Sequence, residues 1–235
     1  MRPPWRTNPP CGSRRDTVND QSTVDQSLRF HLIRHGETAW SLSGQHTGRT
    51  DLALTTQGEG QTRSLKPLLD AIRFEAVFTS PALRARRTCE LAGPALPAAV
   101  VEPDLAEWNY GNYEGKTSSK IWKDRPGWNC YRDGAPGGES AGDVSDRADR
   151  LLARLCRLSG NVALFSHGEF GCSLAARWIG LPVLQGEHLQ LGTASISILA
   201  FNPSHPGLHV IAQWNVSPGV RTDAKYSQSA TAIAS

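Results

Sequence analysis

Runs of apolar residues mark the strands of this chain. Residues 28–33 first alternate apolar with polar and then become fully apolar, and they end at Arg34-His35-Gly36. That pattern predicts a buried strand that ends in a loop. Shorter apolar runs predict five further strands, over residues 76–78, 98–101, 161–165, 195–201 and 208–214.

Residues at helical spacing lie between these strands. Thr55 or Thr56 is a candidate N-cap for a helix that runs to about Ile72, with a kink expected at Pro67. Three further helices are predicted over residues 80–93, 140–158 and 168–179. The second of these is amphipathic, and we interpret its charged face as solvated rather than as a surface for nucleic acid. That face comprises Asp146, Arg147, Asp149, Arg150, Arg154 and Arg157.

Strands that alternate with helices predict the fold class. We expect one α/β domain built as a three-layer sandwich, with a mostly parallel central sheet and helices on both faces. Between Asp104 and Glu139 the chain is rich in aromatic residues and glycine, and we expect an inserted lid segment there. The domain is expected to span residues 28–215. Residues 1–27 are predicted to form a disordered extension and residues 216–235 a flexible tail.

Composition excludes several classes of protein. The chain has 235 residues, and its hydrophobic content of 39% is enough for a buried core. A net charge of +3 is too small for a nucleic-acid scaffold. No apolar run resembles a signal peptide or reaches transmembrane length, so we expect no membrane partner. The five cysteines include no Cys-x-x-Cys pair, and a reducing cytoplasm is the simplest location for such a chain.

Two histidines follow predicted strands. His35 comes directly after the first strand and His167 after the strand over 161–165, and each precedes a glycine that lets the backbone approach a ligand. In parallel sheets, ligands bind beyond the carboxyl ends of the strands. A lone histidine is more often structural, so the surrounding motifs decide between the two interpretations.

Those motifs occur in a definite order along the chain. They are Arg34-His35-Gly36-Glu37-Thr38, Gly44-Gln45-His46-Thr47-Gly48, Leu54-Thr55-x-x-Gly58, Thr79-Ser80-Pro81-Ala82-Leu83-Arg84, Glu107-Trp108-x-Tyr110-Gly111, Gly137-Gly138-Glu139-Ser140 and Ser166-His167-Gly168. From about Leu28 to Phe201 the chain resembles the histidine phosphatase superfamily, in its phosphoglycerate-mutase-like branch. The resemblance is strongest to the broad-specificity acid phosphatases and sedoheptulose bisphosphatases of that branch.

The resemblance implies a catalytic role for three residues. His35 would attack phosphorus and form a phosphohistidine, with His167 beside the transferring group. Glu107 would protonate the leaving oxygen and then activate water, a role that needs a carboxyl pKa raised by partial burial.

It also implies how the substrate is held. Arg34 and Arg84, together with His167, would supply positive charge to the phosphate oxygens. Thr47 and Gly48 would add a hydroxyl or amide donor. Neither a metal ion nor any other cofactor is expected.

Taken singly, these residues have structural alternatives. Arg84 could pair with Glu90, Arg34 could brace Glu37, and Glu107 could be a surface acid. Their occurrence as a set favours the catalytic interpretation.

Departures from the mutase pattern favour hydrolysis. Ser41 stands where mutases have an asparagine that contacts phosphate, and Trp108 follows Glu107 where a mutase has arginine. We therefore predict a phosphomonoesterase that acts on a small phosphorylated metabolite, such as a sugar phosphate. The alternatives are mutase-type phosphoryl transfer and a non-catalytic module that binds a phosphorylated ligand. The only partner expected is the small phosphate ester, and a homodimer is left open.

The aromatic residues of the lid segment leave two interpretations open. They could line the substrate entrance, since flat rings suit sugar faces, or they could simply pack the segment. The residues concerned are Trp108, Tyr110, Tyr113, Trp122, Trp128, Tyr131 and Arg132.

Overall fold

The computed structural model describes residues 27–92 and 98–218. The extension predicted for residues 1–27 lies outside these ranges except for Ser27, and most of the predicted tail lies beyond them too. The predicted helix stop at Gly93-Pro94 is also outside the described residues. Within the described ranges, no helix has the length and apolar character needed to cross a membrane.

A mixed sheet of six strands forms the centre of the described structure. The strands are β1 (Arg29–Arg34), β2 (Phe74–Thr79), β3 (Val100–Val101), β4 (Asn161–Ser166), β5 (Ile196–Phe201) and β6 (His209–Val216). Their order across the sheet is β3-β2-β4-β1-β5-β6. The first four are parallel, whereas β5 and β6 are antiparallel to their neighbours. This arrangement confirms the mostly parallel sheet.

Seven α-helices lie in the described ranges. They are α1 (Ala39–Ser43), α2 (Thr56–Asp70), α3 (Leu83–Ala92), α4 (Ser118–Asp124), α5 (Cys130–Asp133), α6 (Ala141–Leu155) and α7 (Gly168–Trp178). Thr55 caps α2 by accepting a hydrogen bond from the Gly58 N–H, and the helix continues past Pro67. Ser140 and Asp143 form a capping box at α6. The sequence signals for helix starts are therefore confirmed at both positions.

Helices cover both faces of the sheet. Phe30 and Leu32 of β1 belong to a core cluster that also contains residues of α6 and α7. Ile33 belongs to a second cluster with Leu65 and Leu69 of α2. Because neighbouring residues of β1 enter opposite clusters, the strand is apolar on both faces. The predicted three-layer sandwich is confirmed.

Some predictions from the sequence about strand limits and exposure need correction. The third strand covers only residues 100–101, so residues 98–99 precede it. The last strand continues to Val216, a residue that was assigned to the tail. Arg147 of α6, predicted on a solvated face, is 8% exposed. Its guanidinium lies over the Phe170 ring of α7 at 4.2 Å, so packing between the two helices buries it.

Most aromatic rings of the segment between Asp104 and Glu139 pack into the core. Trp108, Tyr110, Trp128 and Tyr131 are all buried in the cluster on the α6 side of the sheet. Trp122 is half exposed and donates its indole N–H to the Trp128 carbonyl. For Trp108, Trp128 and Tyr131 the packing interpretation is therefore the right one, whereas Tyr110 packs in the core and also lines a cavity.

Candidate active site

The two strand-end histidines lie side by side. Arg34 of β1 pairs in register with Ser166 of β4, so the residues that follow them leave the sheet together. The rings of His35 and His167 lie 5.2 Å apart, centroid to centroid, at an interplanar angle of 66°. Both side chains are buried. Pairing of parallel strands thus places the two predicted catalytic histidines at one edge of the sheet.

One nitrogen of the His35 ring is fixed as a donor. Nδ1 lies 2.7 Å from the carbonyl oxygen of Gly36, which can only accept, so the proton resides on Nδ1. Burial, together with the charges of Arg84 and Arg34, lowers the pKa of His35 well below its usual value. The imidazole is therefore neutral at neutral pH, and Nε2 carries a free lone pair. This is the state that a nucleophile requires.

His167 lies against a serine that the sequence analysis did not single out. Its Nε2 is 2.7 Å from the Ser80 hydroxyl, while Nδ1 has no hydrogen-bond partner among the described residues. Burial and the charges of Arg84 and Arg34 lower the pKa of His167 well below its usual value. The role of His167 as a source of positive charge for the phosphate oxygens stays a prediction. A nearby phosphate dianion would favour the charged form.

Two guanidinium groups lie near these rings, that of the buried Arg84 and that of the partly buried Arg34. Arg84 is fully buried and donates to the carbonyls of Thr50 at 3.1 Å and of Thr47 and Gly48 at 3.0 Å each. Arg34 donates to the Leu191 carbonyl. The Nε atoms of both arginines lack a partner within the described residues.

Neither structural alternative for these arginines holds. Glu90 pairs with Arg87 at 3.2 Å rather than with Arg84. Glu37 accepts a hydrogen bond from Thr55 at 2.7 Å and forms no ion pair with Arg34 in the described ranges. Two cations that are held by carbonyls, with no ion pair to a carboxylate in the described ranges, form a site suited to an anion.

Glu107 is a buried acid, not a surface residue. Its Oε1 accepts hydrogen bonds from the backbone N–H groups of Trp108 at 2.8 Å and Phe170 at 2.7 Å, and Oε2 accepts from that of Glu169 at 3.1 Å. Burial, and then the charge of Glu169, raises the pKa of Glu107 to about 8, although the N–H donors oppose the rise. The carboxyl is protonated at neutral pH, as a general acid must be.

The structure separates the hypotheses for Thr47 and Gly48. The Gly48 N–H donates to Oε1 of Glu114 at 2.8 Å, so it is not a free donor for a ligand. The prediction for the Gly48 amide is wrong for this reason, and the residue instead holds Arg84 through its carbonyl. Thr47 lines the same cavity as His35, so its hydroxyl role stays a prediction.

A cavity of about 270 Å³ is lined by Arg34, His35 and Glu107. Its remaining lining residues are Trp40, Ser41, Gly44, Gln45, His46, Thr47, Tyr110, Ser118 and Glu169. Ser41 is also engaged in capping α1, where its hydroxyl donates to the Thr38 carbonyl at 3.0 Å. The cavity is large enough for a small phosphate ester.

A partly buried ion pair between Arg147 and Glu139 anchors the segment that carries Glu107. Arg147 contacts both carboxylate oxygens of Glu139 at 2.9 Å and donates to the carbonyls of Asp104 at 2.9 Å and Ala106 at 2.7 Å. Sequence reasoning missed Arg147 because its helical position resembles that of its solvated neighbours. The motif Gly137-Gly138-Glu139-Ser140 did contain a signal for this ion pair, since its acidic residue, Glu139, is the partner of Arg147.

Similarity to known proteins agrees with this geometry. The family model of the histidine phosphatase superfamily (branch 1) matches residues 30–215. An acid phosphatase of Mycobacterium tuberculosis is 42% identical over 177 residues, covering 74% of this chain and 86% of the relative. A sedoheptulose 1,7-bisphosphatase of Saccharomyces cerevisiae is 37% identical over 187 residues, covering 66% and 69%.

Solved structures show the same similarity. The structure of the open reading frame Rv3214 from Mycobacterium tuberculosis superposes with a TM-score of 0.76 at 38% identity, covering 81% of this chain and 98% of the other. A mycobacterial glucosyl-3-phosphoglycerate phosphatase superposes with a TM-score of 0.68 at 26% identity, covering 80% and 99%.

Proposed function

We propose that this chain, which belongs to the histidine phosphatase superfamily (branch 1), hydrolyses small phosphate monoesters through a phosphohistidine on His35. Sugar phosphates are among the expected substrates. One observation carries the proposal. His35, whose Nδ1 lies on the Gly36 carbonyl, and Glu107, whose pKa burial raises to about 8, line one cavity near two arginines that form no ion pair within the described residues. Nucleophile, acid and anion site are thereby present together.

The first chemical step transfers the phosphoryl group to the enzyme. Arg34, Arg84 and the His167 ring hold the phosphate oxygens, and His35 Nε2 attacks phosphorus in line. A P–N bond forms as the bond to the leaving oxygen breaks. Glu107 gives its proton to that oxygen, so the product leaves as an alcohol.

The second step reverses these roles. The Glu107 carboxylate takes a proton from water, whose oxygen attacks phosphorus, and the P–N bond breaks. Inorganic phosphate forms and Glu107 is protonated again. His35 returns to the neutral state with its Nδ1 proton still on the Gly36 carbonyl. Panel assays of phosphate release from sugar phosphates, phosphoglycerates and nucleotides test this proposal directly, and failure on every ester would contradict it.

Phosphoglycerate mutase activity is the second candidate. A GpmB protein of Salmonella choleraesuis, named a probable phosphoglycerate mutase, is 30% identical and covers 75% of this chain and 86% of the relative. A mutase must retain a bisphosphorylated intermediate, which needs cations at both ends. Among the described residues that line the cavity, Arg34 is the only lysine or arginine.

We expect the enzyme to release inorganic phosphate from 3-phosphoglycerate, or not to react, when a bisphosphoglycerate primer is present. Without a second set of cations, the bisphosphorylated intermediate would dissociate or be hydrolysed before it reorients. Phosphorus NMR follows both products in one sample. Rapid accumulation of 2-phosphoglycerate would instead identify a mutase.

Chelators are expected to leave the rate of hydrolysis unchanged. The proposed steps use two arginines and two histidines for the work that a metal ion does in other phosphatases. Enzyme treated with a strong chelator and then desalted should retain its full kcat. Loss of activity that a divalent ion restores would contradict the proposed mechanism.

The pH dependence of phosphoenzyme formation should follow Glu107. Because burial raises the pKa of this carboxyl to about 8, the acid is protonated below that pH and loses its proton above it. With an alkyl phosphate, the rate constant of this step should fall about tenfold per pH unit above the pKa. Rapid-quench measurements from about pH 7 to pH 10 test this fall. Glu107→Gln should lack the dependence, and a wild-type rate that is constant over this range would contradict the assignment.

The cytoplasmic location, the homodimer and the domain limits at residues 28 and 215 stay predictions from the sequence. The family match over residues 30–215 supports the domain limits.

A further inference from the structure

A carboxylate faces the substrate cavity with no assigned role. Glu169 is the second residue of α7, and its backbone is held in place, because its N–H donates to Glu107 Oε2 at 3.1 Å and its carbonyl accepts from Ser173 at 2.8 Å. The Glu169 side chain lines the cavity of about 270 Å³. Within the described residues, neither an ion pair nor a hydrogen bond to its carboxylate oxygens is present. Among the described residues, an acceptor with a fixed backbone and no internal partner therefore lies in the lining of the cavity that also contains His35 and Glu107.

Arg34 is the only lysine or arginine among the described residues that line this cavity, and it forms no ion pair with Glu169 there. Burial lowers the pKa of His46, although the charges of Glu169 and Glu114 act in the other direction, so this ring is neutral at neutral pH. Its Nε2 lies 3.1 Å from the Ser118 hydroxyl. Gln45, which also lines the cavity, donates its amide to the Gly115 carbonyl at 2.8 Å. Beyond Arg34, this side of the cavity offers neutral polar groups and one carboxylate.

Such a lining distinguishes between leaving groups. A hydroxyl group can donate to the Glu169 carboxylate, and hydrogen bonds to an ionised acceptor are stronger than those between neutral groups. A second anionic group on the substrate would lie near a like charge in a partly desolvated site, which is unfavourable. The same carboxylate thus attracts one class of ester and repels another.

We propose that Glu169 is a specificity-determining residue that selects phosphate esters of neutral polyhydroxylated alcohols over esters whose leaving group carries a second negative charge. This inference rests on the proposed phosphatase function. It goes further by naming the residue that selects the leaving group.

Glycerol 3-phosphate and 3-phosphoglycerate form a matched pair for the test. They share the scissile ester and differ only where one has a hydroxymethyl group and the other a carboxylate. We expect the wild-type kcat/KM to favour glycerol 3-phosphate by about tenfold or more. In Glu169→Gln the ratio should fall by about tenfold or more, whereas Glu169→Asp should keep the wild-type preference. The ratio of the two kcat/KM values is measured because loss of the charge beside Glu107 should change the rate with both esters by the same factor.

Glu75→Gln is the matched control for loss of one negative charge. Glu75 is exposed and lies near the start of β2, whereas the site lies beyond the carboxyl ends of the parallel strands. The ratio of kcat/KM values for the two esters in Glu75→Gln should therefore equal that of the wild type. p-Nitrophenyl phosphate serves as the reference ester, since it has neither a hydroxyl group nor a second anion.

The outcomes separate the two proposals. Hydrolysis of p-nitrophenyl phosphate with an unchanged ratio in Glu169→Gln would overturn the role of Glu169 and leave the phosphatase function standing. Failure of the wild type to hydrolyse any of the three esters would contradict the phosphatase function itself. If Glu169→Gln does not fold, the inference is tested in the wild type by measuring how strongly each of the two esters inhibits hydrolysis of p-nitrophenyl phosphate. Stronger inhibition by 3-phosphoglycerate than by glycerol 3-phosphate would overturn the inference.

Discussion

Replacement of His35 by alanine is expected to reduce phosphate release from every ester by about 10⁶-fold, the order of loss that follows removal of a covalent nucleophile. The ring is buried, and its Nδ1 proton is held by the Gly36 carbonyl, so Nε2 is the atom that can attack. His167 cannot replace it readily, because its Nε2 is already engaged with the Ser80 hydroxyl.

Rapid quench with a labelled ester, followed by peptide mapping, measures the intermediate itself. Wild-type enzyme should carry the label on His35, and His35→Ala should carry none. His188→Ala is the control, because the side chain of His188 is 68% exposed and lies outside the lining of the cavity. Label on another residue, or full turnover by His35→Ala, would refute the covalent mechanism.

Replacement of Glu107 by glutamine should have an effect that depends on the leaving group. Phosphoenzyme formation from a sugar phosphate should slow by about 10²–10⁴-fold, because a departing alkoxide needs a proton. With p-nitrophenyl phosphate the loss should be much smaller, since nitrophenolate leaves without protonation. Glutamine keeps the size of the side chain and one acceptor oxygen, so the change removes mainly the proton.

Single-turnover kinetics are the appropriate measurement for this variant. If Glu107 also activates water, dephosphorylation would limit the steady state with both esters and hide the difference. Glu114→Gln is the comparison, because Glu114 accepts hydrogen bonds from the N–H groups of Gly48 at 2.8 Å and Thr50 at 3.0 Å. Its loss should disturb the loop that holds Arg84 and slow both esters equally. Equal losses in Glu107→Gln would assign that residue a positional role.

The strands and the strand-end histidines could be predicted from the sequence because both depend on local pattern. An apolar run that ends in Arg34-His35-Gly36 indicates a buried strand and a loop without knowledge of the neighbours. The direction of β5 and β6 could not be predicted in this way, because an apolar pattern alone does not tell a parallel strand from an antiparallel one. Their antiparallel pairing follows from how the chain returns to the sheet.

The site residues that were missed or misjudged depend on tertiary contacts. Arg147 is buried because it contacts Phe170 and Glu139, and neither of these residues belongs to the helix that carries Arg147. Glu169 and Ser80 gain their positions from Glu107 and His167, which are distant in sequence. The protonation states of His35 and Glu107 are set by burial and by neighbouring charges. Spacing along a chain carries none of this information.

Pairing of β1 with β4 determines when the active site can first exist during folding. The two strands are joined by a side-chain hydrogen bond of 3.0 Å between His31 and Asn161, residues 130 positions apart in the chain. Contacts of such large sequence separation are costly to close and slow to form. A nascent chain that has not yet produced β4 and the start of α7 lacks His167 and the backbone donors to Glu107. Recovery of activity during refolding therefore reports assembly of the central strands, not of any local segment.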